Sequence, residues 1–332
     1  MKERVLENLN LALSKLLEKD ERVVVIGEDI VDPYGGAFKV TRGLSEKFPE
    51  RILSTPISEL GFTGFANGLA LAGRRPIVEF MFGDFSLLAA DQIINFAAKS
   101  VEMYGRTYAH SILFRCPVGG HRGYGATHSQ SLQKHFIGVP GLDLFELSPL
   151  HDMNHRLPRI LDSGRPSILF EQKTMYGQLR IQSSDLDNYF RVDHFGDHED
   201  IARVRVDRGA DVLILCPGGQ FDACQKAARQ LLFEHGVECE IRVPFSLYPV
   251  SDDLLEDAGS FSLVVTVEES TPGGTWGNEV AAKFGSNSDR SIQNKFLSIT
   301  AVDSPIPSAH HLERQVLPVA SKIELKIKDA LQ

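Results

Sequence analysis

Apolar side chains at Val5, Leu9, Ala12, Leu13 and Leu16 recur about every 3.6 residues, which predicts one amphipathic helix over residues 4–19. The run Val23-Val24-Val25-Ile26 that follows, closed by Gly27, offers no polar position to water. It therefore reads as a strand buried on both faces, as in parallel sheets. Glu28 and Asp29 stand at its carboxyl end. Further apolar runs at 77–80, 111–114, 142–147 and 167–170 alternate with helical stretches near 59–72, 86–104 and 151–163. That alternation predicts an α/β domain with a mainly parallel sheet.

A second series opens at Asp211, where VLILCPGG predicts a strand, a glycine turn and a helix over 220–235. Strands at 238–243, 263–268 and 296–302 and a helix near 277–285 complete a smaller α/β unit. Residues 177–208 between the two series are polar, charged and poor in periodicity, and read as a linker. A boundary near residue 190 divides the chain into domains 1–190 and 191–332, consistent with a length of 332 residues.

Apolar residues at 42% and charged residues at 24% are ordinary for a globular protein and exclude disordered, collagen-like and disulfide-scaffold classes. A net charge of −9 gives no support to binding of a nucleic-acid backbone, which needs clustered cations. No apolar run approaches the roughly 18 residues that span a bilayer, so no membrane role is expected. The start MKERVLENLN lacks a signal peptide's apolar core, and a cytoplasmic location, or an organelle matrix in a eukaryotic host, is expected. Cys116, Cys216, Cys224 and Cys239 form no Cys-x-x-Cys and read as reduced, buried thiols. His194 and His198 have metal-like spacing but lie in the polar segment, which reads as solvated.

The chain has no Gly-Lys-Ser/Thr phosphate loop, no His-Glu-x-x-His and no Gly-x-Ser-x-Gly. The glycines of CPVGGHRGYGATHS lack the spacing of a dinucleotide fingerprint and indicate a backbone-accessible loop. Four segments should gather at strand ends, where open parallel sheets place ligands: GEDI at 27–30, TPISELGFTGFANGLALAG at 55–73, EFMFGDF at 79–85 and the HSQS beginning at His128. Glu59 heads a helix rich in Gly and Ala, where a carboxylate is most often a cap interacting with the helix dipole and a catalytic role is the alternative.

Taken in order, GEDI, the GG and T-x-GL pattern of 35–44, TPISE, GFANGLALAG, RPIVEF, DQIINFAAK, HSQS, PGL, VVTVEES and PIPSA resemble the β subunit of thiamine-diphosphate-dependent 2-oxoacid dehydrogenases. The likeness runs from about residue 5 to 320. It implies a transketolase-type pyrimidine-binding domain with a parallel sheet, followed by a smaller transketolase C-terminal α/β domain. It gives Glu59 the hydrogen bond to an aminopyrimidine nitrogen that favours the imino tautomer, so that the exocyclic nitrogen takes the thiazolium proton. Phe85, Ile57 and Leu88 would line the pyrimidine pocket, and Glu28 would stand near the pocket in proton communication. His128 would face the reacting carbon and donate to a developing oxyanion. His121 and Arg122, on the same loop, are candidates to meet a substrate carboxylate or a lipoyl arm.

The family's Gly-Asp-Gly, which holds the diphosphate and its magnesium, is absent. The resemblance therefore implies an α subunit carrying that half-site in an α2β2 assembly, together with a lipoyl acyltransferase core. The helices at 59–73 and 86–104 are candidate interface surfaces. LDSGRPS at 161–167 corresponds to a turn whose carbonyls hold potassium in some members, and Ile112, Ile160, Ser163 and Arg165 would supply the oxygens. Segments 87–91, 142–152 and WGNE at 276–279 depart from the family pattern, which leaves substrate identity and partner docking open. The expected activity is decarboxylation of a short 2-oxo acid, pyruvate or a branched-chain analogue, with acyl transfer to a lipoyl partner. The alternatives are an acetoin-cleaving or specialised-pathway enzyme with a non-lipoyl acceptor, and a non-catalytic assembly subunit.

Overall fold

The computed structural model describes residues 3–105, 109–182, 186–187, 189–206, 209–287 and 296–332. By internal contacts the chain forms two units, Met1–Val118 with Gly138–Arg180, and Gly119–Ile137 with Ile181–Gln332. The segment carrying His128 thus groups with the second unit, which a single cut near residue 190 does not anticipate.

The first unit begins with α1 (Val5–Lys19), which buries Leu9, Leu13, Leu16 and Leu17 on the face expected from its periodicity. There follow β1 (Val23–Gly27), α2 (Leu44–Lys47), β2 (Ile52–Ser54), α3 (Glu59–Leu71), β3 (Arg75–Glu79), α4 (Ala98–Met103), β4 (Leu113–Val118), β5 (Asp143–Glu146), α5 (Met153–Asp162) and β6 (Ser167–Gln172). Its six strands lie side by side in the order β5-β6-β4-β3-β1-β2, all parallel. β1, β3, β4 and β6 are buried throughout; β1 is an unbroken apolar run, and the charged members of the others, Arg75, Glu79, Arg115 and Glu171, are buried as ion pairs. Asn8 tethers α1 to α5: its Oδ1 accepts the Met153 N–H at 2.8 Å and its Nδ2 donates to the capping Asp152 at 2.9 Å.

The expected continuous helix at 86–104 is instead a 3₁₀ stretch at Gly83–Ala89, a π-helical stretch at Asp91–Ala97 and then α4. Asn67 of α3 supplies the reason. Its Nδ2 takes the Gln92 carbonyl at 2.9 Å and its Oδ1 engages His110 Nε2 at 3.1 Å, so an inserted side chain diverts a carbonyl from the α-helical ladder.

In the second unit come β7 (Arg191–Phe195), β8 (Ile201–Arg205), β9 (Val212–Leu215), α6 (Phe221–Gln230), β10 (Cys239–Pro244), β11 (Ser246–Tyr248), β12 (Leu263–Val267), α7 (Trp276–Asn287), β13 (Phe296–Ile299), α8 (His310–Val316) and α9 (Ala320–Leu331). The sheet order is β13-β12-β9-β10-β8-β7, parallel except where β8 runs against β10 and β7 against β8. Residues 191–205, read as linker, are therefore an antiparallel pair. Asp193 stands opposite Arg203 in register and accepts its guanidinium at 2.6 and 2.9 Å, so cross-strand ion pairing gives these strands their polar composition. All four cysteines are buried and none is joined in a disulfide, as expected.

Candidate active site

β1 lies between β2 and β3, so the connections leaving β1 and entering β3 diverge there, and the carboxyl ends of these strands open the crevice that doubly wound sheets use for ligands. Gly27 pairs with Glu79 in that register, and a Cβ on Gly27 would stand 2.5 Å from the Glu79 carbonyl oxygen. Only glycine permits the approach. Glu28 follows at once and is 5% exposed, with Oε1 lacking any hydrogen-bond partner. Burial first, then the charges of Glu59 and Asp29, push its pKa up to about 7, against an opposing backbone hydrogen bond from Ser58.

Glu59 opens α3 and is also buried, so the structure brings the two expected carboxylates together. Beside Glu59 in sequence, Ile57 is 82% exposed, and Leu88 on the 3₁₀ stretch after β3 is 61% exposed. Phe85, on that stretch, is half-buried and meets Phe82 edge-on at 6.0 Å, while Phe82 meets Phe38 at 5.5 Å. A pair of acids, one with an orphaned buried oxygen, next to uncovered apolar side chains fits a flat, polar-edged heterocycle such as an aminopyrimidine.

Beneath these residues lies an ion cluster that no sequence motif signals. Arg115 is fully buried, donates to Glu171 at 2.7 and 2.8 Å and also binds Glu79; Tyr176 donates to Glu171 at 2.6 Å. These groups come from β3, β4, the end of β6 and, for Tyr176, the turn that follows β6, and brace the strand ends from which the Phe82–Phe85 segment departs.

His128 belongs to the second unit. The glycine-rich segment that carries it is pinned there by two carboxylates: Glu269 accepts the Gly120 N–H, and Glu313 accepts the His121 N–H at 2.7 Å. A Cβ on Gly120 would stand 2.5 Å from Leu317 Cδ1. The Thr127 hydroxyl engages His128 Nδ1 at 2.9 Å. His121 Nε2 lies 3.6 Å from Glu269. At the turn expected to hold potassium, the Ile112 carbonyl accepts the Ser167 N–H at 2.9 Å and the Ile160 carbonyl accepts the Ser163 hydroxyl at 2.7 Å. The Arg165 N–H meets Ser163 Oγ at 3.2 Å and its guanidinium pairs with Asp143.

The chain matches the transketolase pyrimidine-binding domain over residues 4–178 and the transketolase C-terminal domain over 201–323. It is 35% identical over 318 residues to the pyruvate dehydrogenase E1 component subunit beta-1, mitochondrial, of Arabidopsis thaliana, covering 95% of this chain and 85% of the relative. It is 32% identical over 332 residues to the corresponding subunit beta of Bos taurus, covering 98% and 90%. Among solved structures, a chain described as a split gene transketolase, inactive beta4 tetramer, superposes with a TM-score of 0.73 at 18% identity, covering 100% of this chain and 99% of that one. At that identity the likeness concerns fold alone.

The fold is that of the transketolase type, a pyrimidine-binding-type domain followed by the C-terminal domain. The chain belongs to the family of thiamine-diphosphate-dependent 2-oxoacid dehydrogenases, on the side of the E1 β subunits. The expected fold class is borne out.

Proposed function

We propose that this chain is the β subunit of a heterotetrameric α2β2 enzyme that decarboxylates a short 2-oxo acid, pyruvate or a branched-chain analogue, and hands the acyl group to a lipoyl acyltransferase. The observation that carries the reading is the pairing of buried Glu28 and Glu59 at the carboxyl end of β1 and the head of α3. When bound, thiamine diphosphate supplies the carbon nucleophile and electron sink for decarboxylation. Glu59 would hold a proton against the pyrimidine ring nitrogen, and Phe85, Ile57 and Leu88 would flank the ring. Glu28, with its proton affinity raised into the neutral range, would retain or release a proton next to Glu59. His128 would donate to oxygen on the substrate as negative charge develops.

The chain contains no Gly-Asp-Gly. We therefore assign the diphosphate and magnesium to a partner α subunit, and the pyrimidine half to a domain spanning 1–190, with 191–332 as the C-terminal domain. Uncovered apolar side chains on α3, Leu60 and Phe65, support a partner surface there. For potassium we assign the carbonyls of Ile112, Ile160, Ser163 and Arg165; a carbonyl has two lone pairs, so the hydrogen bonds at Ile112 and Ile160 leave one for a cation. Relatives named as mitochondrial support a mitochondrial location in a eukaryotic host. Among the described residues no helix is long and apolar enough to cross a membrane.

The test is a panel of 2-oxo acids offered to the assembled α/β complex with a lipoyl domain, following carbon dioxide release and acylation. The reading requires both, and requires both to fall by orders of magnitude in Glu59→Gln. Decarboxylation unaffected by that change overturns the role of Glu59, and its absence across the panel overturns the activity.

A further inference from the structure

The segment that carries His128 is a loop whose two feet are joined within the second unit. The Gly119 N–H donates to the Gln130 carbonyl at 3.0 Å, so residues 119–130 leave and return at one place, as compact closed loops do. Inside that closure the chain is loosely determined. It holds four glycines, of which Gly119, Gly123 and Gly125 have positive φ, and His121 shares that conformation at φ 67°. Such a loop has many conformations to lose, and contacts from outside it must impose its shape.

Glu269, in the turn after β12, reaches both feet. Its Oε1 accepts the Gly120 N–H on one side and, at a longer 3.4 Å, the Ser131 hydroxyl on the other. Its Oε2 accepts Gln220 Nε2 at 3.1 Å and lies 3.6 Å from His121 Nε2. Donors thus converge on both oxygens of one buried side chain. A carboxylate can accept on both, whereas an amide in its place would turn a donor toward at least one of them. Just beyond Ser131 the Lys134 ammonium donates to Thr271 Oγ1 at 2.7 Å, which ties the exit of the loop to the same turn. Glu313 meets the entry side only, through the His121 N–H.

We infer that Glu269 is a positioning residue for the reaction: by clamping both feet of the 119–130 loop it fixes the direction in which His128 presents its imidazole. The inference rests on the proposed role of His128. His128 stands two residues before the Gln130 foot, and the Thr127 hydroxyl engages its Nδ1, so the ring moves with the loop end that Glu269 holds. A shift of about 1 Å at a reacting group costs on the order of a hundredfold in rate, so a loosened clamp acts on turnover more than on substrate affinity.

The test is a double-mutant cycle in the assembled α/β complex: wild type, Glu269→Gln, His128→Ala and the double variant, with near-ultraviolet dichroism and co-purification establishing fold and assembly. Turnover of the best substrate in the 2-oxo acid panel is paired with deuterium uptake by peptides covering 119–131. In Glu269→Gln, kcat should fall about tenfold or more with KM changed less than about threefold, and uptake confined to 119–131 should quicken by about tenfold. In the His128→Ala background the same change should cost less than about threefold, because the residue acts through His128. Full turnover in Glu269→Gln, or losses that multiply in the double variant, overturns the positioning role while the activity stands. Normal turnover in His128→Ala overturns the role of His128 and this inference with it. If no 2-oxo acid is turned over, the proposed function fails and uptake alone decides the clamp: unchanged uptake overturns it, and quickened uptake confined to 119–131 upholds it. Should Glu269→Gln fail to assemble, Gln220→Met removes the donor on Oε2 while keeping the carboxylate, and repeats the cycle. A loss of about threefold that vanishes in His128→Ala is then expected, and no loss overturns the inference.

Discussion

Glu28 and Glu59, one at the end of β1 and the other at the start of α3, are both buried, and the charge on Glu59 raises the proton affinity of Glu28. Two carboxylates in one apolar environment resist simultaneous ionisation, so the pair retains a proton at a pH where isolated acids have lost theirs.

This arrangement makes stability depend on pH in a defined direction. An acid whose folded-state pKa is raised, here from 4.5 to about 7, contributes stability that is fully present below pH 4.5 and is lost as pH rises through 7. Glu28→Gln removes the titration. Its stability relative to wild type should climb by roughly 1–3 kcal/mol between pH 4 and pH 8, at 1.36 kcal/mol per pKa unit before screening. Urea unfolding across that range checks it; parallel curves for the two proteins would exclude the assignment.

Glu59→Gln keeps the size of the side chain and removes its charge. In the assembled complex turnover should drop at least a hundredfold, the scale of a lost acid–base group, with a smaller change in thermal stability. Single-turnover kinetics separate the chemical step from binding.

The Arg115 cluster predicts a stability effect without direct chemistry. Arg115→Met strands Glu79 and Glu171 in a site with almost no solvent, which should cost about 3–5 kcal/mol in denaturant unfolding. Replacing Arg115, Glu79 and Glu171 together by apolar or amide side chains should recover much of it. A single variant as stable as wild type would show that the cluster does not brace the strand ends.

Thiol chemistry should be silent in the native protein. Burial pushes the Cys239 thiol up to about 12 and raises Cys116 strongly, and reactivity belongs to the thiolate. Ellman's reagent should label none of the four cysteines until denaturant is added, and all four afterwards.

Much of the first unit was legible because buried parallel strands write unbroken apolar runs and amphipathic helices write a 3.6-residue repeat; β1, α1, α3 and α5 follow directly. What escaped depended on partners distant in the chain. The shift of 91–97 into a π-helix depends on Asn67 reaching Gln92, and β7 and β8 look like linker because Asp193 and Arg203 satisfy each other across the pair. Short elements such as β2 and the closing helices α8 and α9 were likewise not anticipated. As candidates, Glu28, Glu59, Phe85 and His128 stand out because each sits in a short motif of the family pattern, and of these the structure brings Glu28 and Glu59 together. The anchoring of the 119–137 segment was not legible, since Glu269 and Glu313 hold it from positions distant in the chain.

The central claim is that this chain supplies one half of a shared cofactor site. The measurement that tests it most directly is thiamine diphosphate binding, in the presence of magnesium, by the purified chain alone and by the chain co-purified with its native partner. The account predicts binding only by the pair, with a partner that carries Gly-Asp-Gly. Tight binding by this chain alone, or a bound partner without that motif, would contradict it.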